Sequence, residues 1–142
     1  MIARACVLSA ALLLLGAAGA AAQDAEFERV LESASRSWAR GDADAIAALA
    51  TRAGLRINIG GRSFGPLGVR HASAVLREMF ESLGTARLAR RSVQFIGGAQ
   101  PRGYGEFIWL TEGARHATVF LGLVRGQDGW RLTEIRVSAP GW

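Results

Sequence analysis

The chain has 142 residues, with 17 basic side chains against 12 acidic ones and a net charge of +5, and every basic residue is arginine. One cysteine and two histidines provide no disulfide framework and no metal-ligand spacing such as H-x-H or H-E-x-x-H. The arginines are scattered, with only Arg90 and Arg91 adjacent and no interleaved aromatics, which argues against nucleic-acid binding.

At the N-terminus, Arg4 precedes an apolar run over residues 5–15, and small residues close the segment at Ala20-Ala21-Ala22 before Gln23-Asp24. A basic start, an apolar middle and an A-x-A site are the parts of a secretory signal peptide over residues 1–22. The expectation is cleavage after Ala22 and export to the periplasm or medium. Cleavage removes Cys6 and Arg4 and leaves a single domain over residues 23–142 with a net charge of +4. About 120 residues suffice for a core without staples. The other reading of the leader is an uncleaved anchor helix, but the run is short for a span and is interrupted by Ser9, Gly16 and Gly19.

Asp24 suits an N-cap, and Phe27, Val30, Leu31, Ala34 and Trp38 follow on one helical face. Gly41 is placed to end that helix, and Asp42 to cap a second, short one over residues 43–50 with Ile46 and Leu49 inward. Leu55, Ile57 and Ile59 alternate with polar residues as a half-buried strand does; Gly60-Gly61 is a turn, and residues 62–64 return. Gly65-Pro66-Leu67-Gly68 breaks the pattern. A third helix is predicted over residues 69–83, with a stripe of Ala72, Val75, Leu76, Met79, Phe80 and Leu83 and a stop at Gly84. Strands follow around Val93 and Phe95 and over residues 104–111, 116–124 and 130–137, the last two joined by Gly126-Gln127-Asp128-Gly129. Helices first and hairpin-connected strands after predict an α+β domain on an antiparallel sheet.

The stretch Trp38-Ala39-Arg40-Gly41-Asp42-Ala43-Asp44-Ala45-Ile46-Ala47-Ala48-Leu49 and the closing Gly129-Trp130-Arg131-Leu132 resemble the nuclear-transport-factor-2-like, or cystatin-like, superfamily. Those members open with W-x-x-G-D-x-x-A-I-x-x-L and close with G-W-R-I strands. The stretch from Phe64 to Phe80 resembles an exported, uncharacterised bacterial branch. The resemblance implies a helical hairpin and a third helix packed on a curved antiparallel sheet, forming a cone. Its open end is the pocket in active members, where enzymes such as ketosteroid isomerases and polyketide cyclases place an Asp or Tyr and a His. The superfamily hosts enzymes, binders and assembly domains alike.

Within such a cone, Tyr104, Glu106, Glu134 and Arg136 are the polar candidates for a ligand pocket, with Trp38 and Trp130 as candidate stacking residues. Period two puts Glu134 and Arg136 on the same face of the last strand as Trp130 and Leu132. Each candidate has a structural alternative: an edge charge for Glu106, a structural ion pair for Glu134 with Arg136, and core packing for the two tryptophans. His71, at the start of the third helix, and His116, beside Arg115, suit solvent. No G-x-S-x-G is present, and Gly60-Gly61 and Gly97-Gly98 lack the further glycines of a phosphate loop.

The sequence therefore favours non-catalytic binding of a small apolar ligand or a protein partner in the cone. No catalytic residue, cofactor or metal is expected. The alternative is an isomerase, cyclase or lyase using Glu106 or Glu134 as a carboxyl with a raised pKa. Phe107-Ile108-Trp109-Leu110 and the run Val119, Phe120, Leu121, Leu123, Val124 leave both faces of two strands apolar, so a homodimer through the outer face of the sheet is expected. The alternative there is a monomer covered by loops or the C-terminal tail.

Overall fold

A computed structural model describes residues 6–142, with side chains from Gly19 onward except residue 20. Arg4 and the side chains of the apolar run expected to form a leader lie outside the described residues. None of the described helices is long and apolar enough to cross a membrane.

Helix α1 (Cys6–Ala39) buries Phe27, Leu31, Ala34 and Trp38, spaced so that all four share one face. Asp24 lies inside this helix instead of capping it, because the alanine-rich stretch before it is a strong helix former. Gly41 adopts φ +65° and turns the chain. Asp42 then caps α2 (Ala43–Ala48), its Oδ1 accepting from the Ala45 N–H at 3.0 Å. Helix α3 (Val69–Leu83) ends at Gly84, whose N–H donates to the Phe80 carbonyl at 2.8 Å. Its Ala72, Leu76, Met79 and Phe80 are buried.

Six strands form one sheet: β1 (Leu55–Ile59), β2 (Arg62–Leu67), β3 (Arg87–Ile96), β4 (Arg102–Leu110), β5 (His116–Gly126) and β6 (Gly129–Ser138), in the order β2-β1-β6-β5-β4-β3. This is the α+β arrangement of three helices on a curved sheet. The sheet is mixed, however. The β1–β6 ladder is parallel, with Ile57 beside Ile135, and the other four are antiparallel. The chain enters β1 from α2 and leaves β2 for α3, so its first hairpin joins the sheet beside the last strand.

Strand β2 runs through Gly65 and Pro66 to Leu67, which pairs with Leu55, where the sequence suggested a break. Proline is tolerated there because β2 is the edge of the sheet, and its missing N–H removes no ladder bond. Gly60 and Gly61, at φ +57° and +83°, make the two-residue turn between β1 and β2.

Two aromatic triangles fill the space between helices and sheet. Phe27, Phe95 and Trp130 meet with centroids 5.1–5.9 Å apart. Trp38, Phe80 and Trp109 meet edge to face at 5.1–5.9 Å. The helix sits close to β4 because Gly103 and Gly105 face it. A Cβ on Gly103 would lie 2.6 Å from the Phe27 ring, and one on Gly105 2.8 Å from the Leu31 side chain. Ile46, Leu76 and Leu132 complete the core.

Candidate functional site

The six candidate residues fall in two places. Trp38 and Trp130 are buried core, one in each aromatic triangle, and line no open surface. The Trp130 indole N–H donates to the Gln23 carbonyl at 3.2 Å, whereas Trp38 Nε1 is buried without a partner among the described residues. The interior expected as a ligand pocket is thus occupied by aromatic side chains.

Tyr104, Glu106, Glu134 and Arg136 come together, but on the outer face of the sheet. Inward on β4 are Gly103, Gly105, Phe107 and Trp109, so Tyr104 and Glu106 point outward. For Glu134 and Arg136 the cause is a bulge. Leu123 pairs with Leu132 and Gly122 with Glu134, which leaves Thr133 as an extra residue in β6. Past it the alternation reverses. Trp130 and Leu132 face inward before the bulge, Ile135 and Val137 after it, and Glu134 and Arg136 turn out. The period-two extrapolation from Trp130 fails at this residue.

On the outer face, Arg136 Nε lies 3.2 Å from Glu134 Oε1, with both side chains open to water. The Tyr104 hydroxyl donates to Gln94 Oε1, and Ser92 Oγ donates to Glu106 Oε2 at 3.3 Å. Tyr104 stacks on Phe120 at 5.0 Å. Because Gly122 has no side chain, a depression of about 230 Å³ opens among Tyr104, Phe120, Val124 and Glu134. His71 and His116 are exposed.

The better-formed apolar cleft is one the sequence did not single out. It lies between α3, the β1–β2 hairpin and the C-terminal Trp142, and measures about 320 Å³. Ile59 and Phe64 form its sheet side. Val75, Met79 and Leu83 form its helix side, and Trp142 closes one end against Gly60. Arg62, Glu78 and Ser82 stand at the rim. The Arg62 guanidinium lies 5.5 Å from the Phe64 ring centroid. Val75 and Leu83 belong to the apolar stripe of α3, but their partial exposure depends on how far the edge hairpin stands from the helix, which periodicity does not encode.

Two charged clusters brace the helices. Arg90 on β3 reaches Glu28 at 3.0 Å and Glu32 at 3.5 Å on α1, and Arg36 also pairs with Glu32. Between α2 and α3, Ser73 Oγ donates to Asp44 Oδ1, and Arg77 pairs with the same oxygen at 2.7 Å. The Ser73 hydroxyl, and then the Arg77 charge, hold the Asp44 carboxyl below the usual carboxylate range.

No family model matches the chain. No curated protein matches it either. Solved structures do. A DUF4783 family protein from Bacteroides ovatus superposes with a TM-score of 0.68 at 14% identity, covering 78% of this chain and 94% of that one. A Shewanella frigidimarina protein provisionally named a ketosteroid isomerase superposes at 0.63, with 15% identity over 82% and 97%. A nuclear-transport-factor-2-like protein with a cystatin-like fold from Novosphingobium aromaticivorans covers 99% of this chain and 93% of its own, at 0.56 and 15% identity. At these identities the likeness is one of fold: the chain has the nuclear-transport-factor-2-like, cystatin-like fold.

Proposed function

We propose that this nuclear-transport-factor-2-like domain is an exported, non-catalytic binding module. It holds a small, mainly apolar molecule, or an apolar side chain of a partner, in the cleft between α3, the β1–β2 hairpin and Trp142. The observation that carries the reading is the cleft itself. At about 320 Å³ it falls within the size range of small-ligand sites, and apolar side chains with a few polar groups at the rim are their usual lining.

Proton-transfer chemistry needs a carboxyl desolvated in the ligand's site. Glu106 and Glu134 are on the far side of the sheet from the cleft, in contact with water, and Glu78 at the cleft's rim is exposed. The isomerase, cyclase or lyase alternative rests on fold likeness alone.

Export is supported by where α1 meets the sheet. Gly19, Ala21 and Ala22 are exposed, while the Gln23 carbonyl accepts from Trp130. A homodimer through the outer face is part of the same reading. Ile108, Leu110, Phe120 and Val124 are half-buried there, among charges of both signs that a two-fold axis would bring together.

A thermal-shift screen of small apolar acids, alcohols and sterols on the exported protein tests the binding claim. Stabilisation by a hit is expected to vanish in Val75→Asp and to persist in Glu106→Gln and Glu134→Gln, with circular dichroism verifying that each variant is folded. Turnover of a hit that either glutamine variant abolishes would overturn the non-catalytic reading.

A further inference from the structure

We infer that the cleft selects an apolar molecule bearing a carboxylate, with the Arg62 guanidinium as its anion-binding group. The inference rests on that cleft being the binding site and adds the ligand's chemical class. Arg62 pairs with Ile59 across the β1–β2 turn, at the mouth of the apolar floor made by Ile59 and Phe64. Its guanidinium is held over the Phe64 ring, a contact that restrains a side chain otherwise rich in rotamers. Among the described residues no carboxylate lies within 4.0 Å of it, so its planar fork of donors is open to a ligand.

Two other polar groups stand at the rim. Ser82 can donate a hydroxyl to the same ligand, and Glu78 is one turn earlier on α3. Glu78 would oppose an anion, so the two charges compete for the sign of the ligand. Three features favour Arg62. Both side chains are exposed, but Arg62 is restrained by the Phe64 ring. It can engage a carboxylate through two parallel bonds. Residues 23–142 carry a net +4, and their field attracts anions. An apolar body would lie between Phe64 and Met79, with its acidic end at the mouth.

Isothermal titration of the exported protein with a matched set, 4-phenylbutyrate, 4-phenyl-1-butanol and 4-phenylbutylamine, tests this. The acid is expected to bind about 10-fold tighter than the alcohol, the scale of one charge-assisted hydrogen bond at a solvent-exposed mouth. Arg62→Gln should remove that preference and leave the alcohol's affinity unchanged. Equal binding of acid and alcohol would overturn the inference while sparing the cleft as the site. So would a preference for the amine that Glu78→Gln removes. If none of the three binds, the cleft itself is not the site and both readings fall.

Discussion

Arg136 lays its guanidinium 3.9 Å from the centroid of the Phe120 ring, on the face of the sheet turned away from the helices. Tyr104 flanks the same ring, so an aromatic side chain that would stand bare on an outer face is partly covered within its own chain. That cover is incomplete, and Phe120 remains half-buried. Light scattering of the purified protein at micromolar concentration is expected to give twice the monomer mass, and Phe120→Asp to give the monomer with its helix and strand content intact. A monomer mass for the unaltered protein would exclude the outer-face dimer.

Phe80 joins α3 to Trp38 on α1 and Trp109 on β4, and only 8% of its surface is exposed. Phe80→Ala should cost about 3–5 kcal/mol in urea denaturation. A loss below about 1 kcal/mol would mean that the triangle does not hold the helices to the sheet.

The close seating of α1 on β4 depends on the absence of a side chain at Gly103. Gly103→Ala would drive a methyl group against the Phe27 ring and, at 2.9 Å, the Gln94 carbonyl. A destabilisation of about 1–3 kcal/mol is expected from overpacking. Gly126→Ala, where a Cβ meets nothing within 4 Å, serves as the control and should stay within about 0.5 kcal/mol.

The Asp44 carboxyl is held below its unfolded value of 3.8 by Ser73 and Arg77. The folded chain therefore binds this proton less readily than the unfolded one. The resulting stability is fully present above the unfolded value and is lost as pH falls through the folded one. In urea titrations from neutral pH down past 3.8, Asp44→Asn should be weaker at neutral pH and lose less on acidification than the parent. An identical acid slope in both proteins would show that the α2–α3 contact does not depend on this charge.

Mass spectrometry of the exported fraction should return a mature chain beginning at Gln23. Recovery of the full-length chain only from membranes would establish the leader as an anchor.

The helical half of this fold was largely legible in the sequence because most helix ends carry their own punctuation; the start of α1, misassigned to Asp24, is the exception. Asp42 caps, Gly41 and Gly84 stop, and the stripe from Ala72 to Leu83 has a single period. The core residues Trp38, Ile46, Leu76 and Phe80 follow from the helical periods and Leu132 from the alternation at the start of β6, and all are buried. The sheet was legible only where strands keep strict alternation. Thr133 adds one residue and inverts everything after it, and no local signal marks it, since threonine is an ordinary strand residue. Pro66 reads as a breaker unless its strand is known to be an edge. The cleft was least legible of all. Ile59, Phe64, Val75 and Trp142 come from four separate segments, and their meeting depends on a hairpin docked through a parallel ladder.

That parallel ladder also sets an order of events. Strand β6 lies between β1 and β5, so the hairpin made from residues 55–67 has no sheet to join until residues 129–138 have been synthesised. A chain emerging from the ribosome from its N-terminus has its first hairpin waiting for the last tenth of its length, whereas α1 can already pack on β3 and β4. The contacts that close the fold span most of the sequence, which slows their formation.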